Sequence, residues 1–307
     1  MTAQPIPELH ALLAGATEGG AALDPSLPIA EVRALANAGV LAYHAFVRDH
    51  GALHEVRDVT VAGVPCRLYL PSSDPHQLHV HLHGGGWWMG SLETVDPMCR
   101  ELASVTGFAV LSIDYRLAPE HPFPAGLDDV LAVLRNLDQV LDATTVSLGG
   151  ESAGGNLAAS AALALRGEVP LVAQWLDVPC VDLRCPEDDS IRAYGTGYGL
   201  EMAQLPLLDA WYQADVTDPL VSPALAPDLS GLPPAIVTTA ECDPIRDQGK
   251  RYADALAEAG NDVTYRCNPG QIHASSWFTA LTEANATWYD ETVALLVQHH
   301  AAVGAVR

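Results

Sequence analysis

Three side chains lying far apart in the chain have the types that covalent acyl transfer needs. They are a serine in Gly150-Glu151-Ser152-Ala153-Gly154, an aspartate in Asp243-Pro244 and a histidine in Ile272-His273. A serine hydroxyl is too weakly acidic to attack a carbonyl carbon unaided. It needs a base such as histidine, which must in turn be held in one tautomer by a carboxylate. The G-x-S-x-G spacing predicts a sharp strand-to-helix turn, where side chains flanking the serine would collide unless they were hydrogen atoms. That turn lifts Ser152 out of a sheet and sets it at the start of a helix near Ala153, whose unpaired amides can stabilise a developing anion.

The candidate bases beyond Ser152 are His273, His299 and His300. His273 follows an apolar run and the turn Asn268-Pro269-Gly270, which predicts a loop above the sheet. His299 and His300 fall late in a long helical pattern and read as surface residues. Asp243 comes just after the run 235–240, outside a strand's carboxyl end, with Glu241, Asp247 and Asp182 as rivals expected to be solvated or capping. The expected chemistry is attack by Ser152, proton transfer through His273, orientation of His273 by Asp243, and hydrolysis of the resulting acyl-enzyme by water. Upstream, His83-Gly84-Gly85-Gly86 ends the alternating run 78–82 and leaves bare backbone. Its amides from Gly84 and Gly85, with that of Ala153, are the expected oxyanion donors, each typically lowering a barrier by about 3 kcal/mol. Glu151, Trp87 and Trp88 are expected at the substrate pocket, the tryptophans either as its walls or packed beneath a cap.

These groups need a frame. A chain of 307 residues suits one large α/β domain. Residues 1–50 are helical in pattern, with Pro28 near a helix start, and segments 56–61 and 66–70 form a hairpin about Ala62-Gly63. From residue 78 on, short apolar runs at 78–83, 107–113, 144–149, 171–178, 235–240 and 262–267 alternate with helical patterns at 95–105, 126–140, 153–166, 246–259 and 276–300. That rhythm predicts a mostly parallel sheet covered on both faces. Residues 182–224 interrupt it, with a helical piece at 200–212, and read as an insertion over the active site.

Composition narrows the partners. The formal charge of -23 comes from 38 acidic against 15 basic residues, Lys250 being the sole lysine, so nucleic acid is not expected as a partner and anionic membrane surfaces are disfavoured. No apolar stretch of some 18 residues and no basic, apolar leader are present, so a soluble, cytoplasmic protein is expected. The six cysteines, at 66, 99, 180, 185, 242 and 267, form no C-x-x-C pair and read as buried small hydrophobes. His79, His81 and His83 alternate along one strand and would share a face able to bind metal, but no neighbouring carboxylate or cysteine completes a ligand set. Neither metal nor cofactor is therefore expected, and a homodimer is left open.

With His83-Gly84-Gly85-Gly86, the elbow at Ser152, Asp114-Tyr115-Arg116-Leu117-Ala118-Pro119-Glu120, Asp243-Pro244-Ile245-Arg246-Asp247 and Ile272-His273, the chain resembles the bacterial hormone-sensitive-lipase-like carboxylesterases of the α/β-hydrolase superfamily. Recognisable pieces run from about residue 78 to the C-terminus. The resemblance implies an eight-stranded core, a cap built from residues 1–50 and 182–224, and hydrolysis of small, short-chain acyl esters. Amide or lactone hydrolysis by the same machinery, or a ligand-binding homologue without catalysis, are the alternatives. Two departures stand out: Glu151 replaces the usual Asp before the nucleophile, and Ala274-Ser275-Ser276 replaces the common Gly-Phe context after the histidine.

Overall fold

The computed structural model describes residues 3–19 and 26–304. Parts of the expected cap segment, residues 1–2 and 20–25, and the last three residues of the chain lie outside the described residues. Eight strands form one sheet: β1 (Glu55–Val61), β2 (Val64–Leu70), β3 (Gln77–Leu82), β4 (Ala109–Ile113), β5 (Thr145–Glu151), β6 (Leu171–Asp177), β7 (Ala235–Ala240) and β8 (Val263–Asn268). Their order is β1-β2-β4-β3-β5-β6-β7-β8, with β2 antiparallel to both its neighbours and every other pairing parallel. β4 and β7 are buried at every position, which is why they read as mostly apolar runs, broken only by Ser112 and by Thr238 and Thr239, rather than as alternating ones.

Nine helices appear among the described residues: α1 (Pro7–Gly19), α2 (Ile29–Ala42), α3 (Asp96–Thr106), α4 (Ala125–Leu134), α5 (Ala153–Ala164), α6 (Asp189–Tyr194), α7 (Leu205–Tyr212), α8 (Arg246–Glu258) and α9 (Glu283–Gly304). Leu127 and Val130 of α4, Leu157 of α5 and Leu256 of α8 pack with strand residues such as Val80 and Leu148 into one core. Met98 and Leu102 of α3 and Val293 and Leu296 of α9 cover the other face with Val110 and Trp175. Burying each such Leu or Val contributes about 2 kcal/mol, so the two layers fix the sheet firmly beneath its carboxyl edge.

Three expectations need correction. The helix at 126–140 ends at Leu134 and continues only as a short 3₁₀ turn at Leu137–Gln139. The last helix starts at Glu283, not at 276, because Ser275–Trp277 form a separate turn that buries Trp277, and Thr282 Oγ1 then accepts the Asn285 amide at 3.1 Å as an N-terminal cap. His300 is buried, not on the surface: it shares the inner face of α9 with Val293 and Leu296, and its ring meets Thr145 Oγ1 at 2.7 Å and Ser147 Oγ at 2.8 Å.

The N-terminal helices and the 182–224 region meet over the carboxyl edge of the sheet. Leu9 of α1 and Tyr194 of α6 pack with Ile272 and Phe278 from the loops after β8. Arg33 of α2 donates to the carbonyls of Trp88 (2.6 Å) and Ala118 (2.9 Å) and forms an ion pair with Glu120, while Asn37 accepts the Gly90 amide at 3.0 Å. α2 is thereby pinned directly to the glycine-rich loop after β3.

Candidate active site

β3 and β5 lie side by side at the centre of the sheet, and their following segments leave toward opposite sides, so a crevice opens at their carboxyl ends. His83-Gly84-Gly85-Gly86 leaves β3 there and Ser152 leaves β5. Ser152 holds a φ of +55°, unusual for a residue with a side chain, and its amide donates to the Asp177 carbonyl at 2.9 Å. A Cβ on Gly150 or Gly154 would overlap the Leu82 carbonyl oxygen, so only hydrogen fits on either side of the turn. The strain at Ser152 is held by these contacts and puts its hydroxyl at the first turn of α5.

Ser152 Oγ lies 2.8 Å from His273 Nε2, and His273 Nδ1 lies 2.8 Å from Asp243 Oδ2. Asp243 is fully buried, and its other oxygen accepts the Ile245 amide at 2.9 Å. The rival carboxylates are engaged elsewhere: Glu241 with the Gly270 amide, Asp247 with Arg246 and the Ser190 amide, Asp182 with Arg184. Burial disfavours a charged His273, but the Asp243 charge and hydrogen bond, aided by Asp177 and Glu151, outweigh it and raise the imidazole above its usual pKa of 6.5.

One of the three expected oxyanion donors is engaged elsewhere. The Gly84 amide donates to Glu151 Oε1 at 2.5 Å and is therefore not free to meet a substrate oxygen. The Gly85 and Ala153 amides, and that of Gly86, which is not among the expected donors, have no hydrogen-bond partner among the described residues, and all three residues line the crevice. The third glycine of the motif was the available signal. Glu151 itself lines the crevice, yet its carboxylate buttresses the glycine loop from behind. Glu151→Gln, which keeps an acceptor for Gly84, should hold kcat at pH 8.5 within about three-fold, whereas Glu151→Ala should lower it by about ten-fold or more as the loop loosens. Steady-state kinetics on a nitrophenyl ester will show the split.

The crevice encloses about 320 Å³. Its sides include Trp87 and Trp88, so the tryptophans both face the cavity and pack under the overlying helices: Trp87 stacks on Tyr212 at 4.5 Å and Trp88 tilts against Trp211 at 5.1 Å. Val40 and Tyr43 from the N-terminal segment and Leu200, Met202, Leu205 and Leu208 from the insertion close it from above. Among the described residues no arginine or lysine lines it.

The cysteine expectation holds for Cys66, Cys99 and Cys242, which are buried; Cys180 and Cys185 instead sit partly exposed in the crevice wall and Cys267 is on the surface. Burial pushes the Cys242 thiol up to about 11, so it has little nucleophilic character beside Asp243. The strand histidines have separate partners: His79 meets Ser147 at 2.9 Å, His81 meets Glu151 at 3.3 Å, and His83 meets the Gly84 carbonyl at 2.7 Å. Among the described residues no three His, Cys, Asp or Glu side chains converge as a metal site, and no helix is long and apolar enough to cross a membrane.

A family profile described as alpha/beta hydrolase fold matches residues 79–276. The carboxylesterase NlhH of Mycobacterium tuberculosis is 39% identical over 248 residues, 73% of this chain and 74% of its own. An ethyl acetate hydrolase of Pseudomonas putida is 38% identical over 68% of this chain and 70% of its own. The solved ester hydrolase EH1AB1 from the metagenome of Lake Arreo, in complex with a bipyridine phosphonate derivative, superposes with a TM-score of 0.88 at 37% identity, covering 97% of this chain and 100% of that one. Sheet order, serine turn and sequence likeness agree: the chain belongs to the hormone-sensitive-lipase-like branch of the α/β-hydrolases and is a serine carboxylesterase.

Proposed function

We propose that Ser152, His273 and Asp243 hydrolyse short-chain acyl esters, with the amides of Gly85, Gly86 and Ala153 receiving the oxyanion. The observation that carries this is the unbroken chain of contacts, 2.8 Å from Ser152 Oγ to His273 Nε2 and 2.8 Å from His273 Nδ1 to Asp243 Oδ2. Ser152 Oγ bonds to the ester carbonyl carbon as its proton passes to Nε2, and the carbonyl electron pair moves onto oxygen. Collapse expels the alcohol, which takes the proton from Nε2 and leaves an acyl group on Ser152. Water, deprotonated by the same nitrogen, then attacks the acyl carbon; collapse returns the proton to Ser152 and frees the acid. Residues 1–50 and 182–224 serve as the cap, and the enzyme works in the cytoplasm.

The short-chain preference rests on an apolar cavity near 320 Å³, the lower end of the usual ligand-site range, and on the likeness to an ethyl acetate hydrolase. A chain-length series of nitrophenyl esters tests it. We expect kcat/KM to peak at acyl groups of about two to eight carbons and to drop by about ten-fold or more by twelve carbons. Faster turnover of emulsified long-chain triglycerides would overturn the short-chain reading.

A further inference from the structure

Asp177, the last residue of β6, touches both halves of the reacting pair. Its backbone carbonyl accepts the Ser152 amide at 2.9 Å. Its side chain is 1% exposed and accepts two hydroxyls, Thr238 Oγ1 on Oδ1 at 2.5 Å and Ser276 Oγ on Oδ2 at 2.5 Å. Ser276 lies three residues beyond His273, in the stretch Ala274-Ser275-Ser276. One residue thus holds the nucleophile's turn through its backbone and the histidine's loop through its side chain.

A role in packing alone leaves one feature unaccounted for. A carboxylate buried on hydroxyls only, without a cation, is an expensive choice, and no arginine or lysine pairs with Asp177 among the described residues. The titratable groups that bear on it are Glu151, its register partner on β5, and His273, while His81 of β3 leans on Glu151. Glu151 carries the wrong sign, and His81 faces Glu151. His273 becomes positive during turnover.

We propose that Asp177 is a positioning residue that ties the Ser152 turn to the His273 loop and lends a second negative charge to the imidazolium formed as Ser152 attacks. The proposal rests on the reading of His273 as the general base. Burial pushes the Asp177 carboxyl up to about 6, against the pull of its two hydroxyl donors, so above that pH it carries the charge the role requires.

The test compares the full-length wild type with Asp177→Asn and Ser276→Ala in two measurements. The first is an NMR titration of the His273 ring, assigned with a His273 variant, which needs no turnover. The second is kcat and KM for 4-nitrophenyl acetate from pH 5 to 9. Asp177→Asn, which removes the charge but not the volume, should move the His273 titration to lower pH than in wild type run in parallel. It should also lower kcat at pH 8.5 by about ten-fold, with KM changed less than about two-fold. Ser276→Ala leaves the carboxylate charged at pH 8.5, so it should move the His273 titration less than Asp177→Asn does while lowering kcat at that pH by about three-fold or more. A folded Asp177→Asn protein with unchanged titration and kcat would overturn the proposal. If that variant does not fold, Ser276→Ala decides, and an unchanged kcat there refutes the tie. Wild type inactive on every ester would sink the esterase reading instead, while the ring titration would still report whether Asp177 acts on His273.

Discussion

Replacing Ser152 with alanine is expected to lower kcat on a nitrophenyl ester by about five to six orders of magnitude, leaving only the weak acceleration that binding and oxyanion contacts provide. The size follows from the geometry. The hydroxyl lost is the one 2.8 Å from His273 Nε2, and with it goes the covalent path that divides the reaction into two easier steps. The fold should be little disturbed, since alanine retains the Cβ that already occupies the turn at φ +55° and the Asp177 carbonyl still accepts the residue's amide. Stoichiometric labelling by an organophosphate should disappear in the same variant. Residual activity above about 1% of wild type, in a preparation shown free of contaminating esterase, would remove Ser152 as the nucleophile.

Much of this site could be read from sequence because local chemistry specified it. The serine turn needs hydrogen atoms at Gly150 and Gly154, and the overlap of any Cβ there with the Leu82 carbonyl is the physical content of that pattern. β4 and β7 are recognisable as short, mostly apolar runs because both faces of each strand are covered. Legibility ended where a side chain's direction depends on packing between distant segments. Glu151 next to the serine suggests a pocket residue, but only the approach of β3 to β5 turns its carboxylate onto the Gly84 amide. Nothing in the spacing of Asp177 and Ser276 announces their contact, which depends on where the loop after β8 settles over β6. His300 differs in kind. Its i, i+4 and i, i+7 relation to Leu296 and Val293 is legible in the sequence, but a polar type near a helix end points to solvent, and only the Thr145 and Ser147 hydroxyls satisfy its buried ring.

The second large effect concerns Asp243. Changing it to asparagine should reduce kcat/KM by about 10⁴-fold at pH 8, because an amide facing Nδ1 no longer favours the tautomer that leaves Nε2 free to accept the Ser152 proton. The pH dependence gives this prediction a sign as well as a size. In the wild type, burial opposes the imidazolium, but the Asp243 charge and hydrogen bond raise the His273 pKa above the usual 6.5, so activity should fall as pH drops through that raised value. With the carboxylate gone, burial acts with less opposition, and the imidazole should stay neutral to lower pH. The variant's acid limb should therefore lie below that of the wild type. Its deficit should be greatest near pH 8 and narrow toward pH 5.5, where the wild-type histidine is already protonated. Profiles of kcat/KM for both proteins over that range measure the effect. Superimposable acid limbs would mean that a group other than His273 controls the rate, and the 2.8 Å contact between His273 and Asp243 would then have to be read as structural.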